Sequence, residues 1–287
     1  MDKFYIITNG EKDPGMQVTG QVAAYLEKHG CFCDIRKVSA KRGEGAYHYT
    51  DPGLIPERTQ CIIVLGGDGT LLQAARDVVH TKIPLFGINM GTLGYLAEVD
   101  RQGIWPALDK LIGGDYEIEE RMMLQGTVYH EGKETGSGIA LNDIVISRDG
   151  PLRVICLRNY VNGGYLNEYN ADGMIIATPT GSTGYSLSAG GPIVSPGACM
   201  TVITPLAPHT LNSRSIILPG EDVITVEMGE GRRQSRASGL AAFDGDTLVP
   251  METGDKIVIE KAQASTRIIK MSDLSFVEVL RRKMSNH

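Results

Sequence analysis

The sequence predicts an α/β N-terminal domain on a parallel, Rossmann-like sheet, a mostly β C-terminal domain, and a helix at the C-terminal end. Three observations carry this. Over the first third, solid apolar runs of strand length alternate with segments of helical period. The composition changes at Gly113-Gly114. From about residue 116 to 271, short alternating segments are divided by glycine-containing turns. The expected boundaries divide the chain into residues 1–115, 116–271 and 272–287. A length of 287 residues suits about two domains.

In chain order, Phe4 to Thr8 is an apolar run. Pro14 opens a segment with Met16, Val22, Ala23 and Leu26 on one helical face, closed by Gly30. Cys31 to Val38 reads as a second strand. Residues 39 to 60, with Lys41-Arg42-Gly43-Glu44-Gly45 and two prolines, read as a surface loop. Cys61 to Leu65 is a buried-strand pattern, and after Gly66 to Thr70 the residues Leu71, Leu72, Ala75, Val78 and Val79 repeat at helical spacing. Ile83 to Ile88 is another buried strand, ending at Asn89 and the turn Gly91-Thr92-Leu93-Gly94. Repeated strand–helix units with near-continuous apolar strands imply a parallel sheet covered on both faces. Trp105 to Ile112 reads as a helix. Turns at Glu131-Gly132-Lys133, Asn162-Gly163-Gly164, Gly229 to Gly231 and Asp244-Gly245 punctuate the β-rich region, and Leu274 to Met284 returns to helical spacing with Phe276, Val277 and Leu280.

Composition narrows the function classes. Lys and Arg total 28 against 34 Asp and Glu, a net charge of −6, which argues against nucleic acid or an anionic membrane as the main partner. No leader pattern precedes the first strand and no run of 18 apolar residues occurs, so the expectation is a soluble, cytoplasmic protein. The five cysteines form no C-x-x-C pair, and reduced thiols are expected. The six histidines show no metal-ligand spacing. Glycine is in excess, 35 residues or about 12% against a usual ~7%, as close backbone approach to a ligand requires.

Gly66-Gly67-Asp68-Gly69-Thr70 follows a predicted central strand, where open α/β sheets place their ligands. Neither G-x-G-x-x-G nor G-K-[ST] fits it. A turn this bare still presents backbone N–H groups to phosphate oxygens, helped by the dipole of the following helix. Asp68 is the odd member, because a carboxylate beside phosphate is costly unless it serves as a base or as a partner of Mg²⁺. The plainer alternative is an aspartate capping its own helix.

The second informative stretch runs from Asn170 to Ser186. A short apolar strand, Met174 to Ala177, enters a loop rich in hydroxyls (Thr178, Thr180, Ser182, Thr183) with Gly181 and Gly184. Such a loop can bind a polar ligand without charge. Asn142, in Leu141-Asn142-Asp143 before the strand Ile144 to Ser147, offers both a donor and an acceptor suited to an adenine edge.

Together these segments resemble the NAD kinase family. The resemblance lies in G-G-D-G-T at Gly66 to Thr70, the Asn-Asp pair at Asn142-Asp143, and D-G-x-x-x-x-T-P-T-G-S-T-x-Y at Asp172 to Tyr185. Supporting segments are Asn89 to Leu96, Pro205 to Leu211, and Phe243-Asp244-Gly245. The resemblance implies transfer of the γ-phosphate of ATP to the 2′-hydroxyl of the adenosine ribose of NAD, with Mg²⁺ or another divalent cation accompanying ATP, in a homodimer or homotetramer. It also implies that the C-terminal helix returns to the first domain, making the domains 1–115 plus 272–287, and 116–271. It further implies Asp68 as general base and Gly67, Gly69 and Thr70 at the phosphates. Asn142 and Asp143 would hold NAD through adenine and ribose, and Thr180, Thr183, Gly184, Tyr185 and Tyr95 would line the pocket. Asp172 would reach the nicotinamide end. Gly184 stands where the family usually has Ala, and Asp143 where Glu is commoner.

Three other readings compete. Diacylglycerol- and sphingosine-type lipid kinases share the G-G-D-G-T turn, but this chain has G-T-L-G-Y at 91–95 where they carry a G-T-x-N-D type sequence, and it lacks a basic amphipathic helix. A 6-phosphofructokinase shares a similar turn, yet a sugar-phosphate site needs more arginine than the Thr178 to Tyr185 loop offers. A non-catalytic NAD(P) sensor gains nothing from a carboxylate in an anion-binding turn. Arg232, Arg233 and Arg236 read as a solvated hairpin tip.

Overall fold

The computed structural model describes residues 1–36, 50–91, 94–97, 99–150, 154–210, 213–231, 236–271 and 275–285. The chain divides into two compact units. One is built by described residues up to Arg121 and from Ser265 on, the other by Met122–Ala264. Both unit boundaries fall within long strands.

In the first unit the strands are β1 (Lys3–Thr8), β2 (Phe32–Ile35), β3 (Cys61–Gly66), β4 (Leu85–Asn89) and the two-residue β5 (Val99–Asp100). Its helices are α1 (Gln17–Lys28), α2 (Asp68–Val78), α3 (Ile104–Gly113) and, at the C-terminal end, α5 (Phe276–Ser285). The strands run parallel in the order β2-β1-β3-β4. The register pairs Thr8 with Leu65 and Gly66 with Asn89, so the carboxyl ends of β1, β3 and β4 finish at one sheet edge. The loops after residues 8, 66 and 89 therefore all leave from that edge, where such sheets bind ligands.

Both faces of this sheet are buried. Phe4, Ile6, Ile63, Leu65, Phe86 and Ile88 pack with Val18, Val22, Leu26, Leu108 and Leu111 of α1 and α3. Tyr5, Ile7, Ile62 and Val64 are equally buried on the alternate face, as are Leu71, Ala74, Ala75 and Val78 of α2. This double burial is why the strands read as continuous apolar runs rather than alternating ones.

Three local expectations change. Met16 is left-handed (φ 54°) and half-buried, so the helix starts at Gln17 and Val18 takes the core position. The second strand is only Phe32–Ile35 and mostly exposed, as an edge strand can be, and Val38 lies outside the described residues. Val277 is 69% exposed, leaving Phe276, Val279 and Leu280 half-buried on α5. Residues 39–49, half of the expected loop at 39–60, together with Thr92, Leu93, Leu211, Arg232, Arg233 and Leu274, also lie outside the described residues.

The second unit contains β6 (Glu117–His130), β7 (Lys133–Ala140), β8 (Asp143–Arg148), β9 (Ile155–Val161), β10 (Gly164–Ala171), β11 (Gly173–Ala177), β12 (Met200–Leu206), β13 (Ile216–Pro219), β14 (Ile224–Gly229), β15 (Ser238–Phe243), β16 (Thr247–Glu252) and β17 (Lys256–Lys270), with the short helix α4 (Tyr185–Ser188). Six of these form an antiparallel sheet ordered β13-β12-β11-β8-β15-β16. Its inner residues Ile144, Ile146, Met174, Ile176, Ile203 and Phe243 pack against Leu124, Val128, Leu157, Val226, Ile257 and Ile259 of the strands opposite, giving a β-sandwich core. The hairpin turns follow from backbone chemistry. Glu131 and Gly132 (φ 47° and 79°) and Asn162 and Gly163 (φ 50° and 79°) are both left-handed pairs, the type I′ geometry that matches strand twist. Among the described residues no helix is long and apolar enough to cross a membrane.

Candidate active site

In the first unit the glycine turn connects β3 to α2. Gly67 is extended (φ −134°, ψ −173°) and occupies the N-cap position, which makes Asp68 the first helical residue. Asp68 therefore does not cap its own helix. Its carboxylate instead accepts from the loop after β4: Tyr95 N–H at 2.7 Å, and more weakly Leu96 N–H at 3.3 Å and Ala97 N–H at 3.4 Å. Gly94 makes this possible, because a Cβ there would sit 1.8 Å from Asp68 Oδ1. The half-exposed carboxylate is thus oriented by backbone and leaves lone pairs for a ligand.

The hydroxyl of Thr70, expected at the phosphates, faces inward. Thr70 is 5% exposed, and its Oγ1 accepts from Gly67 N–H at 3.4 Å and from Asn9 Nδ2 at 3.2 Å. It staples the turn to the loop after β1. Gly67 is buried and Gly69 exposed. The ring of Tyr95 is covered by the Lys283 ammonium of α5, 5.0 Å from its centroid.

In the second unit three segments interlock. Asp244, left-handed at φ 49°, accepts through its carboxylate from the N–H groups of Leu141 (2.9 Å), Asn142 (2.8 Å) and Asp143 (3.1 Å). Asn142 C=O takes Thr178 N–H at 2.8 Å, and Leu141 C=O takes the Thr178 hydroxyl at 2.6 Å. Gly181 lies against the Asn142 backbone so closely that a Cβ would be 2.1 Å from its carbonyl oxygen. At Gly184 an added methyl would lie 3.3 Å from Gly181 O and 3.5 Å from Asn142 Nδ2, so glycine leaves slightly more room there.

Three of the four hydroxyls in this loop donate to backbone carbonyls, Thr178 to Leu141 and the other two within the loop, a correction to the expectation that they face a ligand. Ser182 bonds Pro179 O at 2.6 Å, and Thr183 bonds Thr180 O at 3.2 Å. Thr180 differs: it is 6% exposed and its Oγ1 has no partner among the described residues. Asp143 is equally buried at 6%, and among the described residues nothing donates to its carboxyl. Burial, and secondarily the Asp244 carboxylate, push it up to about 7. The Asn142 side chain, half-buried, also makes no hydrogen bond among the described residues. An amide, a carboxyl and a hydroxyl thus remain for a polar ligand. Asp172 sits elsewhere in its chemistry, paired with Arg148 Nε at 2.8 Å, and Tyr185 is 50% exposed.

Sequence reading overlooked Asp244 as a site residue, although it lies in the quoted Phe243-Asp244-Gly245 segment. It also passed over Asn9 and Lys12. An Asn at the end of an apolar strand was the available signal, since such residues close turns with their side chains.

A parallel α/β unit with a bare glycine turn at its ligand-binding edge, together with a β-sandwich unit carrying unspent polar groups, defines a two-domain nucleotide-handling protein. Residues 4–116 match the ATP-NAD kinase N-terminal domain and residues 141–271 the ATP-NAD kinase C-terminal domain. An NAD kinase of Lachnospira eligens is 46% identical over 295 residues, covering 99% of this chain and all of that protein. Two solved structures share the fold. Yeast NADH kinase complexed with NADH has a TM-score of 0.82 at 24% identity, covering 98% of this chain and 86% of that one. An Archaeoglobus fulgidus NAD kinase in complex with ATP has a TM-score of 0.75 at 23% identity, covering 99% of both chains. The chain belongs to the NAD kinase family and is a phosphotransferase enzyme.

Proposed function

We propose that ATP is the donor, that the 2′-hydroxyl of the adenosine ribose of NAD is the acceptor, and that Asp68 is the general base. The observation that carries this is the Asp68 carboxylate, placed at the start of α2 and aimed by the 95–97 amides within a turn otherwise built for anions. Phosphoryl transfer proceeds through a loose transition state, so positioning and charge neutralisation supply most of the acceleration and the base acts late. Asp68 accepts the ribose proton as the bond from the 2′-oxygen to the γ-phosphorus forms and the bond from that phosphorus to the β-phosphate oxygen breaks, releasing ADP. The amide of the exposed Gly69, at the head of α2, receives the donor phosphates, while Asn142, Asp143 and Thr180 hold the dinucleotide.

A carboxylate has about four lone-pair positions, and three amides already address Asp68. Among the described residues no cluster of three or more His, Cys, Asp or Glu side chains can hold a metal. Asp68 thus keeps about one free position toward a divalent cation carried on the nucleotide phosphates, where the cation would neutralise charge. The same reading takes the protein as a cytoplasmic homodimer or homotetramer, which light scattering of the purified chain tests for oligomeric state.

The deciding experiment is NADP formation from NAD, ATP and Mg²⁺. Asp68→Asn should lower turnover by about 10² to 10⁴ with NAD still bound. Near-normal turnover in that variant removes Asp68 from the role, and activity on sphingosine or diacylglycerol in place of NAD would overturn the acceptor.

A further inference from the structure

We propose that the Lys12 ammonium is a phosphate-binding residue of the same site, receiving the polyphosphate of the donor over the Gly66–Thr70 turn. Lys12 lies in the loop that leaves β1 at the ligand-binding edge of the sheet. Its Nζ is so close to Gly67 that a Cβ there would be 2.4 Å away. Among the described residues no carboxylate or other group pairs with this ammonium.

The loop is fastened at both ends. Asn9 N–H donates to Leu65 O at 2.9 Å, and the Asn9 side chain accepts from Glu11 N–H at 3.0 Å and Lys12 N–H at 3.3 Å while its Nδ2 holds Thr70 Oγ1 at 3.2 Å. On the other side the buried Asp13 carboxylate accepts from Val18 N–H at 3.0 Å, Thr19 N–H at 2.9 Å and the Thr19 hydroxyl at 2.6 Å. Lys12 is therefore carried on a backbone fixed to the turn itself, so only its side chain needs ordering when a ligand arrives.

The electrostatics point the same way. The N-terminus of α2 is the positive end of a helix dipole, where an unpaired cation is the wrong sign. The chain has 34 acidic residues, yet among the described ones none pairs with this lysine. A polyanion bridging the ammonium and the turn amides resolves both facts, because each group then meets negative charge. The extended backbone of Gly67 lets the ammonium approach; any side chain would exclude it.

This deepens the proposed donor site and rests on it. The test compares wild type with Lys12→Met, Lys12→Arg, Gly67→Ala and the Lys12→Met/Gly67→Ala double variant in full-length protein. Lys12→Met should lower kcat/KM for ATP by about 10- to 100-fold and leave KM for NAD within about twofold. Lys12→Arg should recover most of the loss, since the cation remains. Gly67→Ala meets only the far end of a flexible side chain, so the fold should survive while the ammonium is displaced, and its effect should shrink once Lys12 is Met. Calorimetric titration with inorganic tripolyphosphate, needing no turnover, should show binding weakened in Lys12→Met. Normal ATP constants in Lys12→Met, a loss falling on NAD alone, or an Arg variant as poor as Met would overturn the proposal. If wild type makes no NADP, the kinase reading fails, and the tripolyphosphate titration still decides whether Lys12 binds phosphate.

Discussion

Gly94→Ala tests the placement of the Asp68 carboxylate without touching that residue. A Cβ at position 94 would lie 1.8 Å from Asp68 Oδ1, 2.2 Å from its Cγ and 2.4 Å from Oδ2. Non-bonded heavy atoms do not approach within about 3 Å, so the nearest oxygen must retreat by more than about 1 Å. The 2.7 Å bond from Tyr95 N–H is lost with it. Gly94 is not among the left-handed glycines, so alanine adds no backbone strain and the effect is confined to the clash. A catalytic group misplaced by about 1 Å costs on the order of 10² in rate, with complete loss of the base reaching about 10⁴. Stability should fall by only about 1 to 3 kcal/mol, the cost of one charge-assisted bond. The assay is NADP formation with saturating substrates beside a thermal melt, with Gly91→Ala as control, because the nearest atom to a Cβ there is 3.9 Å away in the same loop. In an Asp68→Asn background Gly94→Ala should add little. A kcat within about threefold of wild type, or an equal loss in both backgrounds, would refute the reasoning that the 94–97 loop aims the base.

Other outcomes follow from the second unit. Gly181→Ala would place a methyl 2.1 Å from a backbone oxygen that cannot move away, so it should raise KM for NAD at least about tenfold and cost about 1 to 3 kcal/mol by melting. Asp143, raised by burial to about 7, binds its proton more tightly folded than unfolded. Its contribution is therefore complete below about pH 4 and is lost as pH rises through 7, so Asp143→Asn should gain Tm relative to wild type at pH 8 but not at pH 4. His130 is raised by its 2.6 Å hydrogen bond to the buried Asp255 and by nearby carboxylates. That stabilisation is full below about pH 6.5 and fades as pH climbs through the raised value. Melts of His130→Gln should fall below wild type at pH 6 and match it at pH 9.

Local sequence carried much of the architecture because local physics fixes it. Apolar runs at Cys61 to Leu65 and helical spacing after Thr70 report burial on two faces and on one stripe. The Glu131-Gly132 and Asn162-Gly163 pairs report a left-handed turn that other residue types resist. The turn at Gly66 to Thr70 was legible as a bare connection from strand to helix, and it sets Asp68 at the head of α2. The start of α1 was not, since Met16 has helical propensity but is held left-handed between Gly15 and the capping of Asp13.

What only tertiary structure decided is the direction in which each polar group spends its hydrogen bonds. Asp68 turns to amides 27 to 29 residues onward, and Asp244 to amides more than 100 residues back. The same holds for the hydroxyls: Thr178 reaches back to Leu141 and Thr183 closes its own loop, while Thr180 has no partner among the described residues. A sequence pattern records what a segment needs on average from water and from its neighbours along the chain. Which donor reaches a given carboxylate depends on the register of strands and on glycines such as Gly94 that remove the atoms in the way, and those distances exist only once the sheet has formed.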